Sequence, residues 1–363
     1  MHVLIFSADI GAGHDAPAQA LRDGILVRRP GARVEIVDSM AAAGPVVRAL
    51  VRDGSEFVLR RLPWLFDLQY CLVARWPLSR RLAQRLASLL GRRGLLRTVR
   101  DSAPDVVVCT YPPANQVLAV ERRRGTLNVP LVSAVTDLAA LSYWAHPGCD
   151  LHLVIHAESA QEVRQIAGPG AGVAHVRGLS DAGFDEPADE PAARAALGLQ
   201  LRDLVVTVSG GGWGVGDLRG AIDAALATDP AVKVVALCGH HDELRQTLER
   251  DHGGGDRVRV LGFTERMPEV LAATDVLVHS TAGLTVLEAL VRGARVISYG
   301  WGVGHIRLNN EAYRRFGLAE VVTRPSELTV AIRRALASPR IPDTSYGTLP
   351  SAADVVLDLV AGT

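Results

Sequence analysis

Residues 7–21 read SADIGAGHDAPAQAL and follow the apolar run HVLIF (2–6); residues 209–222 read SGGGWGVGDLRGAI and follow LVVTV (204–208). A strand that turns on glycines into a helix aims backbone N–H groups and the positive end of the helix dipole at an anion. One such loop is weak evidence. Two, each opening a βαβ-type half, predict an α/β protein of two Rossmann-like, doubly wound parallel-sheet lobes with a cleft between them.

The rest of the chain follows that rhythm. Strand-like runs lie at 2–7, 33–38, 105–109, 130–135 and 150–155, then at 204–208, 232–237, 257–261, 275–279 and 295–298, with helical patterns between most of them. Unbroken Val/Leu/Ile runs suit strands buried on both faces. The stretch GLSDAGFDEPADEPA (178–192), with two prolines and five acids, reads as an interdomain linker. The expected domains are therefore 1–180, 181–340 and a tail helix within 341–363.

Taken alone, GAGHDA (11–16) also fits the dinucleotide fingerprint G-x-G-x-x-A, and Asp38 ends the second strand where an NAD(P) enzyme holds a ribose diol. Against an oxidoreductase stand Asp9 at a strand end, His14 at the helix start, and the second glycine loop, for which that reading has no use.

Composition narrows the class. With 48% hydrophobic and 21% charged residues over 363 positions, the chain is globular and long enough for two domains. The four cysteines form no CxxC pair, which argues against structural zinc and a disulfide framework. No apolar run reaches the ~18–20 residues of a membrane span, and the strand-like N-terminus does not resemble a signal peptide. A cytoplasmic protein is expected. Net charge is zero, yet 45–100 carries 12 arginines against 3 acids.

Three segments together resemble the monogalactosyldiacylglycerol (MGDG) synthase branch of glycosyltransferase family 28 and, more distantly, the GlcNAc transferase that completes the lipid-linked muropeptide. Asp9-Ile10-Gly11-Ala12-Gly13-His14 is similar to the family's D-x-G-x-G-H. VTDLAALSYWAHPGCDLHLVIHAESAQEV (135–163) looks like its T-D-L … W-x-H … D block. LGFTERMPEVLAATDVLVHSTAGLTVLEALVRGARVI (261–297) looks like its G-F … M … D … G-x-T-x-x-E-A-L block. The resemblance implies the GT-B fold and metal-independent, cofactor-free, inverting transfer from a UDP-sugar to a lipid, which in this branch is diacylglycerol. A sugar-nucleotide-binding protein without transfer activity is the non-enzyme alternative.

The resemblance also implies site residues. Gly11, Gly13, Thr136, Asp137 and Trp144 fall on the acceptor side. Gly210, Gly211, Gly212, Phe263, Thr281, Ala282, Gly283, Leu284, Thr285, Glu288 and His305 fall on the donor side. Physical reading agrees for the helix expected from Gly283 to Leu290. Its N–H groups suit a diphosphate, and Thr285 and Glu288, three apart, share a face. Thr285 can donate to a phosphate and Glu288 can accept from a ribose diol, while Phe263 meets the uracil or serves as a core aromatic. An inverting transfer needs a base for the acceptor hydroxyl. The resemblance favours Asp9; His14 is the alternative, or else orients the acceptor or caps its helix. The chain departs from the family at 300–313 (GWGVGHIRLNNEAY), where the acidic sugar reader is missing, so galactose is not implied.

In the basic segment, Leu78, Leu82, Leu86 and Leu89 recur at helical spacing beside Arg80, Arg81, Arg85 and Arg92. Arginines along an apolar face suit a helix lying on an anionic membrane surface; a core-facing helix with a solvated side has the same pattern. No nucleic-acid motif accompanies the charge. The expected location is peripheral, at the inner face of the cell membrane.

Overall fold

The computed structural model describes residues 1–8, 12–48, 77–300, 302 and 304–362. The chain divides into two compact units. One comprises Met1–Ala182, Val303–His305 and Leu349–Thr363; the other comprises Gly183–Gly302 and Ile306–Thr348.

The first unit is built on six parallel strands, β1 (His2–Ser7), β2 (Arg33–Asp38), β3 (Val106–Cys109), β4 (Leu131–Val135), β5 (Leu151–Val154) and β6 (Gly172–His175), in the order β2-β1-β3-β4-β5-β6. Its helices are α1 (Ala12–Arg28), α2 (Ser39–Ala43), α3 (Pro45–Arg48), α4 (Pro77–Ser102), α5 (Pro112–Arg123) and α6 (Ala160–Ala167). Leu4, Phe6, Val107 and Cys109 pack with Leu118 of α5 and Leu95 of α4 in one apolar cluster.

The second unit repeats the plan with β7 (Leu204–Ser209), β8 (Val232–Leu237), β9 (Val258–Leu261), β10 (Val276–His279), β11 (Arg295–Tyr299) and β12 (Glu320–Val322), all parallel, in the order β12-β11-β10-β7-β8-β9. Around them lie α7 (Glu190–Ala196), α8 (Leu218–Leu226), α9 (Asp242–His252), α10 (Met267–Ala272), α11 (Leu284–Val291), α12 (His305–Phe316) and α13 (Pro325–Leu336). Strands β6 and β12 were not foreseen; both are short edge strands, of four and three residues.

Each sheet has a point where the winding reverses, between β1 and β3 in the first unit and between β7 and β10 in the second. Loops leaving the carboxyl ends of two such strands diverge, and the crevice they leave is where doubly wound sheets bind ligands.

The acidic stretch 178–192 holds a short 3-10 turn, Ala182–Phe184. Phe184 is buried under the Arg292 guanidinium, 5.1 Å from the ring centroid. Arg292 also donates to the carbonyls of Glu186, at 2.7 Å, and Gly183. A last helix, α14 (Ala352–Ala361), packs on α1: a side chain at Gly24 would come within 3.3 Å of the Ala353 methyl, and Arg28 pairs with Asp354 at 3.2 Å.

Helix α4 changes environment along its length. In its C-terminal half Leu95 and Val99 are buried, and Gly94 lies so close to the Ala42 backbone that no Cβ fits there. The row that passes through Gly94 continues N-terminally as Leu90, Leu86 and Leu82, which are 43%, 56% and 68% exposed, with Leu89 beside them at 78%. Arg85, Arg93 and Arg97 are exposed on the same helix, which has no acid before Asp101. Among the described residues no helix is long and apolar enough to cross a membrane.

Candidate functional site

At the first reversal point, β3 delivers Thr110 beside the end of β1, with its N–H on the Phe6 carbonyl at 3.0 Å. The Thr110 carbonyl accepts from His14 Nδ1 at 2.8 Å. A carbonyl cannot donate, so Nδ1 carries the proton and the neutral ring keeps its lone pair on Nε2. The Tyr111 ring meets the imidazole edge-on at 5.1 Å between centroids, and the Trp144 ring is tilted against it at 6.1 Å. Burial holds the His14 pKa below the ordinary histidine value, with Asp137 and the Thr110 bond pulling the other way. His14 is therefore neutral at pH 7 and able to accept a proton.

The predicted T-D-L … W block is what shapes this corner. Trp144 is 1% exposed and its indole N–H donates to Asp137 at 2.9 Å. The Trp144 carbonyl accepts from Asn115 of α5 at 2.6 Å and from Ser133 of β4 at 3.0 Å; Gln116 of α5 reaches the Tyr143 carbonyl at 2.9 Å. Thr136 is buried beside them. Asp15, next to His14, accepts from Ser7. Gly13 stands open, with nothing near the position of a Cβ. Asp9, Ile10 and Gly11 lie outside the described residues. Asp38, the ribose ligand of a dinucleotide reading, instead caps α2 by accepting from the Met40 N–H at 3.0 Å.

At the second reversal point, β7 and β10 end in register, His279 opposite Ser209. The chain leaves β7 through a 3-10 turn, Gly211–Trp213, closed by Gly214 at φ 62°. A Cβ on Gly210 would lie 2.6 Å from the Gly214 backbone, and one on Gly239 would collide with the Gly212 carbonyl. Glycine is thus required for the loops after β7 and β8 to touch. His240, after β8, donates its backbone N–H to the Gly212 carbonyl at 2.8 Å. Its ring stacks on Phe263, after β9, at 4.1 Å and 13°. Phe263 is 49% exposed, so it is not a core aromatic. Nothing in the sequence singled out His240.

Across the reversal point, Thr281 and Ala282 lie between β10 and α11, with Thr281 under Gly211. Gly283 caps α11 at φ 87°, a conformation natural only to glycine. Leu284 and Glu288 are buried and Thr285 is half-buried, the last two three residues apart as expected. Beneath them a buried chain runs from His279 Nε2 through the Ser298 hydroxyl (3.0 Å) to the Asn310 side-chain oxygen (2.6 Å). Burial lowers the His279 pKa to about 4, so this histidine is a neutral structural group. His305 opens α12 and groups with the first unit, apart from the other expected donor residues. Among the described residues no cluster of His, Cys, Asp or Glu could hold a metal. Cys109, Cys149 and Cys238 are buried free thiols; Cys71 lies outside the described residues.

Residues 14–173 match the monogalactosyldiacylglycerol (MGDG) synthase family, and residues 212–338 match the glycosyl transferases group 1 family. A processive diacylglycerol beta-glucosyltransferase of Bacillus subtilis (strain 168) is 26% identical over 68% of this chain and 65% of its own length. The chain therefore spans less than two thirds of that relative. Among solved structures, the glycotransferase of kitacinnamycin aligns with a TM-score of 0.62 at 14% identity, over 99% of both chains. Arabidopsis thaliana UGT89C1, complexed with UDP, aligns with a TM-score of 0.60 at 13% identity, again over 99% of both. The chain has the GT-B fold, its residues 14–173 are similar to the MGDG synthase family and its residues 212–338 to the glycosyl transferases of group 1.

Proposed function

We propose that the protein transfers a sugar from a UDP-sugar to the hydroxyl of a diacylglycerol-type lipid, with inversion and without a metal. The observation that carries the reading is the state of His14: neutral, with Nδ1–H on the Thr110 carbonyl and Nε2 as the acceptor. In one displacement Nε2 takes the acceptor hydroxyl's proton, and that oxygen bonds to the anomeric carbon. The bond from the anomeric carbon to the phosphate oxygen breaks, and UDP leaves with the electron pair. A single displacement inverts the centre. Asp9, the base favoured by the family resemblance, remains the competing candidate for the same proton. On the donor side, the loops after β7 and β10 offer N–H groups to the diphosphate, Glu288 binds the ribose, and Phe263 meets the uracil. The relative's name supports the lipid acceptor.

The test is glycolipid formation from diacylglycerol and a panel of UDP-sugars, followed by the stereochemistry of the product. A β-linked product from an α-linked donor is expected; retention, or no product with any donor, overturns the reading. Asp9→Asn and His14→Ala assayed side by side decide the base.

The exposed leucine row of α4 and its arginines are proposed to meet the anionic membrane surface that holds such an acceptor. Each basic residue near an anionic leaflet contributes about 1 kcal/mol. Binding to anionic vesicles should fall with salt and with Arg85, Arg93 and Arg97 changed together to Gln. Equal binding to neutral vesicles removes the electrostatic part.

A further inference from the structure

Helix α12 is tied to the loop that precedes α11 at two points. One is the buried chain from His279 through Ser298 to Asn310. The other is Tyr313. This side chain is fully buried, its ring meets His279 edge-on at 6.1 Å between centroids, and its hydroxyl accepts the Gly283 N–H at 3.2 Å. Gly283 is the N-cap residue of α11, held at φ 87° and ψ −142°.

That hydroxyl decides which amides face a ligand. The first N–H groups of any helix lack intrahelical partners. Here the Gly283 N–H is committed to Tyr313, and the Val286 N–H returns to the Gly283 carbonyl at 3.3 Å. Between them stand the amides of Leu284 and Thr285. Fixing Gly283 in its glycine-only conformation fixes the direction of both. An anion is bound best by donors already oriented, because no ordering accompanies binding.

We infer that Tyr313 is a positioning residue for the donor diphosphate: its hydroxyl, by holding the Gly283 N–H, orients the Leu284 and Thr285 amides toward the phosphates. The inference rests on the donor reading above and extends it to a residue that touches no part of the donor. It separates two contributions to binding. The nucleoside end is read by Phe263 and Glu288, whereas the bond from the Gly283 N–H to the hydroxyl bears on the phosphates.

The test compares UDP with uridine by calorimetry on the unmodified protein and on Tyr313→Phe, which keeps the ring against His279. UDP should weaken about tenfold and uridine should not change. Equal losses for both ligands, or an unchanged or tighter UDP, overturn the inference. A protein that binds uridine but gains nothing from the diphosphate overturns it as well. Failure of the unmodified protein to bind either ligand overturns the donor reading itself, and the inference with it. A second measurement needs no variant. In amide hydrogen exchange of the free protein, Gly283 should be protected, and Leu284 and Thr285 should gain protection only when UDP is added. A Gly283 amide that exchanges as fast as its two neighbours contradicts the inference.

Discussion

The two units share a sheet plan but present different surfaces at their reversal points. In the first, a half-buried His14 lies among Tyr111, Trp144 and Asp137, with its tautomer set by one carbonyl. In the second, the working surface is mostly backbone, with glycines that let adjacent loops touch and an exposed Phe263–His240 stack at its edge. A histidine proton acceptor needs a neutral ring, which burial favours, and a fixed tautomer that presents its lone pair. A diphosphate needs amides and no competing side chain. One topology can offer either surface, because the difference lies in the loops.

Substitutions at four residues test that division. The largest effect is expected from His14→Ala, which removes a positioned base worth typically 10²–10⁴-fold. Turnover should fall by about that factor while UDP affinity holds; loss of both would show that the first unit also grips the donor. Next is Glu288→Ala, for which UDP binding should weaken by about 1.5–3 kcal/mol, the range of hydrogen bonds to a charged group. Unchanged affinity in calorimetry takes Glu288 out of the site. A smaller loss is expected from His240→Ala. Removing one ring of a stacked pair costs about 0.5–1.5 kcal/mol, so UDP affinity should drop roughly two- to tenfold, with His240→Phe restoring it. An effect of His240→Ala on turnover alone would move that residue out of donor binding.

The smallest change is one of pH. Activity should decline as pH falls through the His14 pKa, since protonation removes the acceptor. Asp137 raises that pKa and burial lowers it. Asp137→Asn should therefore move the acid limb of the rate profile to lower pH. A limb that stays in place means that another group, Asp9 foremost, is the base.

The strands that the sequence revealed most plainly are those with unbroken apolar runs, such as VLIF and VVVC, because a strand covered on both faces has no polar positions to interrupt it. GVAH and EVV escaped because an edge strand of three or four half-covered residues leaves too short a run. The glycine loops and α11 were legible because their requirements are local: a positive φ, a close approach, an N-cap. His240 and Tyr313 were not. The first acquires its role from a ring 23 residues later on the neighbouring strand's loop, and the second from an amide 30 residues earlier. Neither pairing leaves a periodicity. The Asp38 position shows the reverse hazard, since a residue that matches a motif is spent on a helix cap.

The first unit is not continuous in sequence, because α14 closes over α1 only after the whole second unit has been threaded between them. On the ribosome, β1 to β6 emerge early but the groove along Gly24 and Arg28 waits for Ala353 and Asp354. Domains ordinarily fold as they appear, N-terminal first. Here the first to appear is the last to be finished, so a nascent chain carries an open apolar seam throughout synthesis of the second unit.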